Sequence, residues 1–211
     1  MSDDVKKPVS RKERSAATRR RIVAAATGEF VGSGYHGTSM AGIAQRAGVA
    51  VQTVYFVFHT KPELFAAVLD AAVLGEDARP PLGQAWAQAA FDQASRPKEA
   101  IAAFVRGSGP IFRRASALSV VARAAAPTDP ELAAAWSYRE GLRVDNHRLF
   151  VAALADALPA GFDVDRAGDV LLTMVNPSTY LTLAGFGWSH DAIVDWLAVV
   201  VPNLMLGDGL S

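Results

Sequence analysis

Gln52 and Thr53 stand side by side near the start of a short apolar segment, Val51–Phe58, with Tyr55 two residues on and Lys61 six beyond that. An amide side chain can pair in a bidentate way with the edge of adenine, and threonine offers a hydroxyl together with a methyl that suits thymine. A tyrosine on the outward face of the same segment can bond a phosphate through its hydroxyl. A lysine in the first turn of the next helix brings a cation to that helix's free N–H groups, where a phosphate can settle. These residue types in this order suit a polyanion with readable edges, provided the segment is a slim helix that enters a groove ~12 Å wide.

Helices must position them, and the spacing supplies helices. Ile22, Ala26 and Phe30 recur every fourth residue and predict a first helix from about Ser15 to Val31, closed by Gly32-Ser33-Gly34. A second helix follows Thr38 and Ser39, either of which can cap it, with Met40, Ile43, Ala44 and Ala47 on one face and Gly48 at its end. Val54 and Phe58 face inward on the third. Thr60 and Glu63 form a capping-box pattern around Pro62 at the head of a fourth, which Leu64, Phe65, Val68 and Leu69 continue. The tight break Ala47-Gly48-Val49 between the second and third helices makes the unit a helix-turn-helix candidate.

The residues Thr18-Arg19, Ile22, Ala25-Ala26, Phe30, Gly34-Tyr35, Thr38-Ser39-Met40, Ile43-Ala44, Ala47-Gly48-Val49, Thr53-Val54-Tyr55, Phe58, Lys61 and Leu64 resemble, at these spacings, the N-terminal domain of the TetR family of regulators. The resemblance runs from about Thr18 to Leu69. It implies that Thr38 and Ser39 bind phosphate, that Gln52 and Thr53 face bases, that Tyr55 and Phe56 straddle backbone and base edges, and that Lys61 holds a phosphate. Met40, Ile43, Val49, Val54 and Phe58 would tie the helices together. The sequence departs from the family at Ala41, Ala50, Val51 and Val57, where polar or basic residues are common, and at His59, which replaces a small or kinking residue. Fewer polar side chains remain for direct readout, so readout should lean on Gln52, methyl contacts and DNA shape, with phosphates supplying most of the affinity; His59 is a further candidate contact.

Charge agrees with that assignment. The chain is neutral overall, yet residues 1–66 hold ten Lys/Arg against five acids, and the remainder is acidic by the same margin. A basic head on an acidic body suits a polyanion at one end, and the arm Arg11–Arg21 could add charge or reach a minor groove. No cysteine is present, which removes disulfides, thiolate metal sites and a cysteine nucleophile. Gly-x-Ser-x-Gly, a phosphate-cradling Gly-rich loop, HExxH and a Glu-x-x-His pair are all missing, so neither an enzyme nor a cofactor or metal site is expected. The polar, basic N-terminus and the lack of a long apolar run point to a cytoplasmic protein without a membrane segment.

The expected organisation is all-α: a basic arm over residues 1–15, the helix-turn-helix domain over 16–75, and a helical bundle over 76–211 for effector binding and dimerisation. Breaks are expected at Arg79-Pro80-Pro81, Arg96-Pro97, Gly107-Ser108-Gly109-Pro110, Pro127 to Pro130 and Leu158-Pro159-Ala160-Gly161, with one long helix over Glu131–Leu158 and a last one from Ser189 to Met205. Asn176-Pro177 implies a kink or a fresh start. Candidates for an effector site are Phe104, Phe112, Trp136, His147 and Tyr180, with Trp86, Phe91 and Tyr138 as further aromatics; any of these can equally be core. His147 reads as a satisfied histidine rather than a metal ligand; Arg139 and Arg143, four apart, could bind an acidic ligand, but read first as partners of Glu140 or Asp145 or as water-facing. Apolar stripes at Leu172, Val175, Thr179, Leu183 and at Ile193, Trp196, Leu197, Val200 suggest two terminal helices, and the same region resembles the pair through which many TetR members form homodimers. The resulting expectation is a homodimeric regulator of a double-stranded DNA operator, a repressor released by a small, mainly apolar effector. An activator, or a helical interaction protein without sequence-specific DNA binding, is the alternative.

Overall fold

The computed structural model describes residues 10–75, 96–158 and 164–207, and all regular structure among them is helical. The expected breaks at Arg79-Pro80-Pro81 and Pro159-Ala160-Gly161, and the candidates Trp86 and Phe91, lie outside the described residues. The chain divides into two compact units, Met1–Ala71 and Ala72–Ser211.

In the first unit, α1 spans Arg11–Gly37 and starts earlier than its apolar periodicity suggests. The cause is a complete capping box, with Glu13 N–H donating to Ser10 Oγ at 3.2 Å and Ser10 N–H to Glu13 Oε2 at 2.6 Å. The same bonds hold the Glu13 carboxyl below its ordinary pKa. The expected closure by glycine is a kink: Gly34, at φ 70°, leaves helical geometry, and a last turn follows to Gly37. Helix α2 covers Met40–Ala47, α3 Val51–Val57 and α4 Lys61–Leu74. Ile22, Phe30, Ile43, Val54, Phe58, Leu64 and Phe65 are fully buried and form the small core that the apolar spacing predicts. Phe65 meets the rings of both Phe30 and Tyr35 edge-on, at 4.8 and 5.5 Å between centroids. Arg46 pairs with Glu29 at 2.9 Å, tying α2 to α1.

The second unit carries α5 (Pro97–Ala125), α6 (Pro130–Ala152), α7 (Val164–Met174), α8 (Pro177–Gly185) and α9 (His190–Leu206). One 3-10 turn, Ala126–Thr128, joins α5 to α6, and the two pack against each other. Helix α9 lies along α5 and against α7, and α8 also packs on α5. The core gathers Phe104, Phe112, Phe150, Leu171, Ile193, Leu197, Val201 and Met205.

Two expectations need correction here. The break at Gly107-Ser108-Gly109-Pro110 does not occur, because α5 continues through Pro110. Proline deprives the carbonyl four residues back of its partner, but that residue is Arg106, and both lie on the exposed face where water can replace the bond. On the opposite face, Ser108 Oγ donates to the Phe104 carbonyl at 3.0 Å. Gly109 lets α9 come close: a Cβ there would stand 3.0 Å from Val194 Cγ2. Packing along this face overrides the local breakers. The long helix over Glu131–Leu158 is also shorter than expected; α6 ends at Ala152 and a 3-10 turn over Ala155–Ala157 follows. At Asn176-Pro177 the chain makes a fresh start, with Asn176 Oδ1 accepting from Ser178 N–H at 2.8 Å and Pro177 in the first turn. Helix α9 also matches its expected span closely, capped by Ser189 Oγ on Ala192 N–H at 3.2 Å.

Candidate nucleic-acid interface

The turn between α2 and α3 is built on Gly48. Its φ of 63° is left-handed, which glycine adopts without a Cβ clash. Gly48 N–H donates to the Gln45 carbonyl at 3.2 Å and Val49 N–H to the Ala44 carbonyl at 3.1 Å, the two crossed bonds of a Schellman closure. Met40, Ile43 and Ala44 on α2 and Val54 and Phe58 at α3 are buried, and Val49 is half-buried, so α3 can lie on the head only one way round. The consequence is the face that remains outside. Gln52 is exposed, Tyr55 is 50% exposed and Phe56 is 84% exposed, with Thr53 half-buried beside them.

Of the other sequence-derived residues, Ser39 is exposed and caps α2 by accepting from Gly42 N–H at 3.0 Å. Thr38 is turned inward. It is 3% exposed, and its Oγ1 donates to the Gly34 carbonyl at 2.7 Å, closing the α1 kink rather than facing solvent. His59 is exposed; its N–H donates to Glu63 Oε2 at 2.9 Å, and its ring Nδ1 lies 3.3 Å from the same carboxylate. Glu63 N–H in turn donates to Thr60 Oγ1 at 3.1 Å, so the capping pair expected at α4 is present with its return bond moved back to His59.

Lys61 has an internal role that sequence reasoning misses. Its ammonium donates to the carbonyls of Tyr35 and Thr38 at 2.8 and 3.0 Å and sits 4.3 Å from the centroid of the Tyr35 ring. The expected lysine in the first turn of α4 is therefore also the clamp that holds the α1–α2 connection. Arg19, one of the motif residues, also has an internal contact, its guanidinium lying 4.3 Å over the Phe58 ring. From Arg11 the basic arm is helical, with Arg11, Lys12, Arg14, Arg19, Arg20 and Arg21 all exposed along α1.

In the second unit the effector candidates fall into two groups. Phe104 stacks on Phe150 at 4.3 Å and meets the His147 ring edge-on at 5.2 Å. Phe112 stacks on Tyr180 at 5.5 Å, and the Tyr180 hydroxyl is 3.1 Å from His190 Nδ1. Trp136 is half-buried on α6, and Tyr138 is largely exposed. Arg143 pairs with Glu140 at 3.0 Å as expected, whereas Arg139 Nη1 donates to the Ala135 carbonyl. His147 differs from its expectation: it is buried, but only one of its ring nitrogens has a partner. Burial, foremost, lowers its pKa to about 4, with the Arg143 charge acting in the same direction and the carbonyls of Arg143 and Val175 opposing. Among the described residues no group of three or more His, Asp or Glu side chains could hold a metal ion. Nor is any helix among them long and apolar enough to cross a membrane.

Comparison with known proteins matches this architecture. Residues 22–68 match the model of bacterial regulatory proteins of the tetR family. No curated protein is significantly similar to the chain in sequence. Among solved structures, a Mesorhizobium loti protein assigned to the TetR-family transcriptional regulators is 23% identical with a TM-score of 0.67, covering 89% of this chain and 95% of its own. NalD, the secondary repressor of the MexAB-OprM multidrug efflux pump in Pseudomonas aeruginosa, is 20% identical with a TM-score of 0.71, over 93% of this chain and 99% of its own. A Rhodococcus transcriptional regulator is 21% identical with a TM-score of 0.62, over 89% and 95%. With its helix-turn-helix built on Gly48 and its five described helices beyond, the chain matches the tetR family of bacterial regulatory proteins over residues 22–68, and it shares the fold of these solved structures.

Proposed function

We propose that the chain is a DNA-binding transcriptional regulator whose α3 enters the major groove of an operator. The observation that carries this reading is the outer face of α3. A phenylalanine 84% exposed beside a half-exposed tyrosine and an exposed glutamine has no use in an isolated head, and it suits base methyls, phosphate and an adenine edge. Ser39 and His59 are exposed as well, and the exposed arginines of α1 supply the charge that dominates affinity for DNA. Lys61 contributes to phosphate binding mainly by fixing the α1–α2 connection, and Thr38 acts in the same indirect way.

Residues 16–75 form the DNA-binding domain in this reading, and 76–211 the effector-binding and dimerisation domain. Homodimerisation rests on the apolar side chains left exposed around α8 and α9: Phe186 at 75%, Val199 at 60%, and Trp188, Trp196 and Leu204 at nearly two-fifths. Two heads can then take half-sites about one turn, ~34 Å, apart. Repression is the simplest mode of action, since a protein seated on an operator blocks access without a further partner surface, and the similar NalD is a repressor. A small, mainly apolar effector in the second unit would release the operator through a coupling of about 1–3 kcal/mol.

The test is selection of bound sequences from random duplex DNA, followed by affinity measurement on the recovered site for the wild type and for Tyr55→Ala and Phe56→Ala. The proposal expects one enriched, two-fold related site and weakened binding by both folded variants. Failure to enrich any sequence would transfer the α3 face to a protein partner.

A further inference from the structure

The second unit buries three polar side-chain atoms that have no hydrogen-bond partner: Ser116 Oγ, Arg143 Nη1 and His147 Nε2. Ser116 needs nothing from outside, because a helical serine hydroxyl can rotate onto the carbonyl four residues back, here Phe112. The other two cannot help themselves. They stand one turn apart on the same face of α6, and their other polar atoms are already committed. Arg143 Nη2 is paired with Glu140 at 3.0 Å, and His147 Nδ1 is 2.8 Å from the Arg143 carbonyl.

That last bond fixes the chemistry of the pair. A carbonyl only accepts, so the proton of the neutral imidazole is on Nδ1, and Nε2 is left with a bare lone pair. The Val175 carbonyl also acts on the ring, but a carbonyl is an acceptor and cannot complement that lone pair, so Nε2 is left without a partner. The site thus shows one buried donor, Arg143 Nη1, and one buried acceptor, His147 Nε2. On the His147 side, Phe104 meets the imidazole edge-on and stacks in turn on Phe150. Leaving either atom without a partner costs as much as losing a buried hydrogen bond, so something that both accepts and donates belongs there.

We propose that the effector carries a hydroxyl, phenolic or alcoholic, on an otherwise apolar body, and that this hydroxyl accepts from Arg143 Nη1 and donates to His147 Nε2. This deepens the assignment of residues 76–211 as the effector domain and rests on it. A carboxylate suits the site less well. It offers no proton to the Nε2 lone pair, and the Arg143 charge is already balanced by Glu140. An ammonium would meet the Arg143 guanidinium.

The test uses three probes of one shape: 2-naphthol, 2-naphthoate and naphthalene. Each is titrated into the DNA-free full-length protein by calorimetry, so the result does not depend on whether α3 reads DNA. The proposal expects 2-naphthol to bind about tenfold or more tighter than naphthalene or 2-naphthoate. That preference should vanish in both His147→Phe and Arg143→Met, with helicity checked by circular dichroism. Nitrogen NMR of the wild type gives a readout that needs no variant: the His147 Nε2 resonance should move upfield, as for a lone pair that accepts a bond, on adding 2-naphthol and stay put with naphthalene. Equal affinity for naphthol and naphthalene would mean that buried water fills the site. Preference for naphthoate would mean an anion site, and no binding by any probe would mean no effector site of this kind. Each of these three results overturns the proposal.

Discussion

The ammonium of Lys61 and the backbone of Tyr35 form one unit: Nζ donates to the Tyr35 carbonyl at 2.8 Å while sitting 4.3 Å from the centroid of that residue's ring. A second bond to the Thr38 carbonyl at 3.0 Å completes the grip. The α1 kink, the α2 start and the α4 start therefore meet at a single cation.

Replacing Lys61 by alanine should consequently act on stability before it acts on DNA. It strips a charged donor from two carbonyls, a change that costs about 2 kcal/mol for a charge-assisted pair in a partly buried setting. Amide hydrogen exchange in α1, α2 and α4 should show the loss in the first unit. A Lys61→Ala protein of wild-type stability and reduced DNA affinity would instead assign the ammonium to phosphate alone.

Gly109 should tolerate no side chain. The Cβ of Gly109→Ala would lie 3.0 and 3.4 Å from the two Cγ atoms of Val194, and a β-branched residue in a helix has little rotamer freedom to withdraw. Thermal melts should record a loss of about 1–3 kcal/mol, as overpacking typically costs. Adding Val194→Ala should recover part of it; no recovery would mean that the contact is not the cause.

Stability should fall on mild acidification because of His147. Its pKa is lowered from 6.5 in the unfolded reference to about 4 in the native protein, so between these values the unfolded chain binds the proton and the native chain does not. The contribution is fully present above pH 6.5, decreases as the pH falls, and is spent near pH 4, a total of about 3 kcal/mol. Denaturation midpoints from pH 7 to 4 should show this slope, and in His147→Phe it should be shallower by that amount. Equal slopes in the two proteins would contradict the buried neutral imidazole.

Phe56 should separate function from folding. At 84% exposure it contributes little to the head, so Phe56→Ala should keep its stability within about 0.5 kcal/mol of the wild type. Affinity for the selected operator should nevertheless drop about tenfold or more, the worth of one good base contact. Unfolding curves and fluorescence anisotropy on the same samples check both halves.

Much of the head was legible from single residues. Ser39 and Gly48 delimit α2 because capping and left-handed closure are local, and Ile43, Val54 and Phe58 reveal its core by spacing alone. The outward placement of Tyr55 follows from the same periodicity, whereas that of Phe56 was implied only by the resemblance. The inward turn of Thr38 and the clamp at Lys61 were not legible, since both depend on where the α1 kink brings backbone carbonyls. In the second unit the four breakers at Gly107-Ser108-Gly109-Pro110 mislead for a related reason. Their effect is local, and it is outweighed by a packed face with α9 that no window of neighbours contains. The state of His147 belongs to the same class, because burial and the Arg143 carbonyl decide it together.

The central claim, a head that binds DNA through phosphates and reads it with α3, is tested most directly by the affinity of the intact protein for its selected operator over a salt series. Phosphate-dominated binding predicts that log affinity falls linearly with log salt, losing ~10³-fold or more between about 50 and 200 mM, with random duplex DNA bound ~10³-fold less tightly throughout. Binding that is insensitive to salt, or equal on operator and random DNA, would contradict the account.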